Sequence, residues 1–158
     1  LTPESIIFGD ILAGAVFGLC IALIIWIGST AFIPVTVLSP GLFVITALLG
    51  TFCCSALGAL LASPASDSPP NVMIFSNLIR FPLIFISGIF VPLSQMEGLS
   101  LVLAYCSPLT YLVDLFNATI SGTSYFSPVV DCAILMAVTG GCILLARFIQ
   151  VRNLVRGL

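Results

Sequence analysis

Residues 77–92 read Asn77-Leu-Ile-Arg80-Phe-Pro82-Leu-Ile-Phe-Ile-Ser87-Gly88-Ile-Phe-Val-Pro92, and this stretch decides the fold class. It is apolar enough to lie in lipid. Yet Arg80 is costly at membrane depth, Pro82 removes a helical hydrogen bond, and Ser87-Gly88 weakens a helix. A segment that carries such costs inside an apolar run is expected to be a working element of a membrane protein.

The residues around it agree. With 60% hydrophobic and 6% charged residues, the chain cannot present a water-soluble surface. Asp10 is followed by no charge until Asp67, and the interval holds two apolar runs. Each is long enough to cross a hydrocarbon core about 30 Å thick, for which roughly 20 helical residues suffice. Barrel strands are shorter and alternate. The expectation is therefore an all-α membrane protein, a single transmembrane domain over residues 1–158. Its four transmembrane helices are placed at about 11–33, 41–63, 72–91 and 129–148, with an outer re-entrant helical pair in residues 93–127.

Residue chemistry excludes much. There is no Lys and no His, which removes a phosphate-loop lysine, a Schiff-base lysine and a histidine base or ligand. Ser87 has no base to activate it as a nucleophile. The six cysteines show no metal-ligand spacing and read as small apolar residues, with a bridge between Cys106 and Cys132 left open. No catalytic residue, cofactor or metal is expected, and no nucleic-acid partner.

Thr2-Pro3-Glu4 is a good helix start, followed by a surface helix or the first turns of the next span. In the first span Gly14 and Gly18 form a small-xxx-small pair for close helix packing. Trp26 is expected near the far interface. The second span carries two rows of small residues, Gly50, Cys54, Gly58, Ala62 and Ala47, Thr51, Ser55, Ala59, a flat face that suits burial among neighbours. Residues 63–71 are the clearest loop, and Pro82 should kink or break the third helix. Residues 93–127 predict two short amphipathic helices at about 96–105 and 109–120, split by Ser107-Pro108, with Glu97 and Asp114 as ordinary solvated acids.

Arg147, Arg152 and Arg156 follow the last span, so the C-terminus is expected to be cytoplasmic. An even number of spans returns the first residues to the same side. The first residues do not read as a charged leader with a cleavage site, so no signal peptide is expected in this stretch.

These features carry a family resemblance. The Pro-Leu-x-Phe-x-Ser-Gly-x-Phe-x-Pro-Leu core within residues 77–96, followed by Ser107-Pro-Leu-Thr-Tyr-Leu-Val-Asp114, resembles the permease subunit of ABC-2-type transporters. The order of elements matches over the last four of that family's usual six spans, so the chain is expected to be part of a longer permease. It departs at Glu97, where many relatives have Pro, and at residues 115–117, where many have Arg. The resemblance implies a dimer of permease copies, homomeric or heteromeric, in the cell membrane. A separate ABC ATPase subunit would drive it, exporting a lipid-linked, glycan or drug-like substrate. It implies contact with the ATPase by Pro3, Glu4, Ser5, Ile6 and Ile7, a translocation path beside Asn77, Arg80 and Ser87, and an outer gate that includes Tyr111 and Asp114. The residues alone leave two alternatives: an ion-coupled secondary transporter, which would need an acid in a span core, and a non-transporting membrane scaffold.

Overall fold

A computed structural model describes residues 3–32, 37–63 and 69–155. Six α-helices follow in order: α1 (Pro3–Phe32), α2 (Pro40–Ala62), α3 (Pro69–Ile86), α4 (Leu99–Cys106), α5 (Pro108–Ser121) and α6 (Pro128–Val155), with one 3-10 turn (Leu93–Gln95) before α4. Among the described residues there is no strand. Five of the six helices begin on a proline. At the first helical position proline forfeits only an N–H that no intrahelical carbonyl would have accepted, and its fixed φ is already helical.

Among the described residues three helices are long and apolar enough to cross a membrane, over Phe8–Thr30, Pro40–Ala62 and Pro128–Arg152. A fourth crossing is added if α4 and α5, bent by 85° at Ser107, count as one broken span. The helical part of α3 is shorter than the expected span. Its apolar stretch, Val72–Ile86, is about 22 Å long at 1.5 Å per residue, against a core of about 30 Å. The helix runs through Pro82 and stops at Ile86, where Ser87 and Gly88 turn the chain and Gly88 takes φ 89°.

The N-terminal residues are not a separate surface helix; α1 is continuous from Pro3 onward. Thr2, the 33–36 connection, Arg156 and most of the 63–71 loop lie outside the described residues.

α2 is the centre of the bundle, packing against α1, α6, α5 and α3. Its small-residue face explains this. Gly14 and Gly18 of α1 sit over Ser55 and Thr51 of α2, so close that a Cβ at Gly14 would collide with Ser55 Oγ. Ser55 Oγ donates to the carbonyl of Ile11 at 2.8 Å and locks the two helices in register. On the other side Cys53 joins Tyr111, Leu115 and Leu135 in a core shared by α2, α5 and α6. The outer face of α1 is apolar and open, with Phe17 and Ile24 each 70% exposed, as a lipid-facing helix requires.

Both connecting regions expected on one side of the membrane do meet. Leu38 N–H, before α2, donates to the carbonyl of Thr119 near the end of α5 at 3.0 Å. Trp26, Phe43 and Phe116 form an aromatic row across α1, α2 and α5, with ring centroids 5.6 and 5.8 Å apart.

Candidate functional site

Between α1 and α2 a groove of about 620 Å³ runs from Asp10, Ala62 and Arg80 at one end to Ala22, Thr46 and Phe116 at the other. From Thr46 to Ala62 the wall extends about 24 Å at 1.5 Å per residue. Both small-residue rows of α2 line it. One edge of that flat face is spent on α1, and the remainder forms the groove floor.

Arg80 reaches this groove from α3. Its guanidinium lies 3.5 Å from where a Cβ on Gly58 would stand, and it acts electrostatically on Cys54. Gly58 is one turn from the end of α2, about 6 Å, so the charge stands at the groove mouth rather than at mid-membrane. α2 has no basic residue in its own last turn. Arg80 supplies a cation to that carbonyl end, where the helix dipole favours it. Asp10 of α1 borders the same mouth, an acid that sequence reasoning passed over although it is the last charge before a long neutral interval.

Asn77, one turn before Arg80, is exposed and not on the groove wall. Ser87 is fully buried, its hydroxyl turned back to the carbonyl of Ile84 at 2.7 Å, where it ends α3. Of the three residues assigned to a path, only Arg80 is brought to the groove. Pro3, Glu4, Ser5, Ile6 and Ile7 form the first turns of α1, in line with the groove; of their side chains only Ser5 is described, and it is exposed.

Tyr111 and Asp114 do come together, at the opposite end of the bundle. Tyr111 donates its hydroxyl to the carbonyl of Tyr105 at 2.8 Å and so joins α5 to α4. Asp114 is not the solvated acid the sequence suggested. It is 4% exposed, and its carboxylate accepts the backbone N–H of Tyr125 and of Phe126, each at 2.8 Å. Phe126 packs on Tyr105, Tyr111 and Tyr125, with centroids 5.0 to 5.6 Å apart. This clasp fixes the α5–α6 link. Asp131, in the first turn of α6, is fully buried beside it, and sequence reasoning missed it because an acid there ordinarily serves the helix dipole. All six cysteines, Cys106 and Cys132 included, are free thiols.

A model of the family described as ABC-2 type transporter matches residues 1–120. No curated protein and no solved structure matches the chain.

Proposed function

The chain belongs to the ABC-2 type transporter family, and from that membership we propose that it is the permease half of an ATP-driven exporter, dimeric, with ATP hydrolysed on a partner chain. The substrate is amphipathic: lipid-linked, glycan or drug-like. The observation that carries this reading is the groove with Arg80 at its mouth. A long apolar trough with one cation at its entry suits a molecule with an apolar body and a polar or anionic head. The first turns of α1 lead straight into the groove wall, which supports coupling between an ATPase at Pro3, Glu4, Ser5, Ile6 and Ile7 and the groove itself. The clasp of Tyr111 and Asp114 at the other end is the exit closure. The Arg147 end of α6 is then cytoplasmic, in the cell membrane.

The test is transport by vesicles carrying the permease and its ATPase. Uptake should require ATP, ignore imposed proton and sodium gradients, and fall when Arg80→Leu is introduced at unchanged expression. Equal transport by Arg80→Leu would remove Arg80 from the path. One observation, the buried acid Asp131, favours gradient coupling instead; uptake driven by a proton gradient without ATP would establish that alternative.

A further inference from the structure

Where α5 gives way to α6, two acids meet inside the protein. Neither carboxyl oxygen of fully buried Asp131 is reached by an N–H or O–H of the described residues. The Asp114 carboxyl is its neighbour across the α5–α6 link. Asp114 is already an acceptor: Tyr125 N–H reaches Oδ1 at 2.8 Å and Oδ2 at 3.0 Å, and Phe126 N–H reaches Oδ2 at 2.8 Å. An ionised carboxylate only accepts, so two carboxyls can bond each other only when one carries a proton. Peptide N–H groups bond most strongly to the ionised form, which leaves the proton on Asp131.

We propose that Asp131 and Asp114 form a proton-binding site, in which Asp131 holds the proton and donates it to Asp114, tying the head of α6 to the Tyr125–Phe126 turn. The other titratable groups around the pair are a phenol and thiols. Tyr111 of α5 faces Asp131, with Cys106 behind it, and its hydroxyl is spent on Tyr105. Cys132 is the neighbour on α6. From α2, Cys53 packs against α6 further along that helix, at Leu135, and bonds Thr139, which is about 12 Å from Asp131. Arg147 lies on α6 roughly 24 Å away, and Arg152 further still. Arg80 stands against the far end of α2. No cation among the described residues is in place to neutralise a second carboxylate.

The tied arrangement holds one proton more than an opened one in which both carboxylates are hydrated. Linkage then fixes the sign: acid favours the tie, and rising pH releases it, because two buried neighbouring carboxylates repel. That this tie closes a substrate exit rests on the permease reading; the proton site itself does not.

The experiment is infrared difference spectroscopy of the full transporter in liposomes, with hydrogen exchange read at Tyr125 and Phe126. At neutral pH a protonated-carboxyl band is expected that shifts in D2O, is lost in Asp131→Asn and is kept in Glu97→Gln. On alkalinisation the band should vanish, and the two amides should exchange about tenfold faster after correction for intrinsic rates, as the loss of one hydrogen bond allows. In Asp131→Asn the side-chain N–H replaces the O–H, and protection should no longer depend on pH. A wild-type spectrum with no such band, or protection indifferent to pH in the wild type, would overturn the proposal. Neither wild-type readout needs a variant to fold, and neither measures transport, so failure here is separate from failure of the permease reading.

Discussion

Three glycines of α1 make a graded test of the helix pairing that shapes the groove. A Cβ at Gly14 would fall onto Ser55, one at Gly18 would stand 3.1 Å from Thr51 Cγ2, and one at Gly28 would meet nothing within 4 Å. Replacing Gly by Ala inside a helix gains about 0.5–1 kcal/mol from backbone entropy, a benefit common to all three sites. Differences among them therefore report packing. Overpacking costs about 1–3 kcal/mol. Ser55 cannot turn aside without giving up its bond to Ile11, worth about 0.6 kcal/mol for a typical interhelical bond in a membrane. Gly14→Ala should then be less stable than Gly28→Ala by about 2–4 kcal/mol, the sum of those two terms. Gly18→Ala should fall between them, since a shift of the Thr51 methyl by a few tenths of an ångström relieves the contact. The assay is denaturation of the purified variants in mixed micelles, followed by circular dichroism under one set of conditions. Equal midpoints for Gly14→Ala and Gly28→Ala would refute the α1–α2 register and, with it, the groove that the register creates.

Two further outcomes follow from the opposite end of the bundle. Asp114→Asn leaves two peptide N–H groups competing for one carbonyl oxygen and should cost about 1–3 kcal/mol; protease attack within residues 122–127 should quicken, and an unchanged rate would argue against the clasp. Gly88→Ala forces a Cβ into φ 89° and to 3.0 Å from Leu93 Cδ1, a cost of order 1–2 kcal/mol for the conformation alone; its thermal midpoint should fall, whereas that of Gly9→Ala, which meets nothing within 4 Å, should not.

What the sequence revealed depended on how local each determinant is. Hydropathy located α1, α2 and α6 because lipid requires a continuous apolar helix and nothing more distant. Ser107-Pro108 announced the elbow between α4 and α5, since proline is disfavoured inside a helix and favoured at its start. The end of α3 was misplaced for the converse reason. Residues 89–91 are as apolar as the helix before them, and only the backbone of Gly88, which composition does not report, sets the stop at Ile86. The site followed the same rule. Two rows of small residues were legible as a flat face, but which edge receives α1 depends on the Gly14–Ser55 register. Asp114 and Asp131 are 17 residues apart, and each taken alone is an unremarkable surface acid. One signal was present: Asp131 is the sole charge between Asp114 and Arg147. Its partner became visible only once the α5–α6 link had folded back.

Groove and clasp meet on α5. Leu112 and Phe116, four residues apart, line the groove, and Leu112 is pressed so tightly on α2 that a Cβ at Gly50 would stand 2.6 Å from its Cδ1. Tyr111 and Asp114 occupy the neighbouring face of the same helix and hold the link to α6. α5 is 14 residues long, about 21 Å, and moves as one rod over that length. It cannot approach α2, because Leu112 already touches Gly50. It can move only outward or by rotation. An occupant bulky enough to part Leu112 from Gly50 carries Asp114 with it, away from either the Tyr125 and Phe126 amides or Asp131. Occupation of the groove and closure of the clasp are therefore mechanically opposed states of one helix, and the proton proposed on Asp131 sets how much work parting the clasp takes.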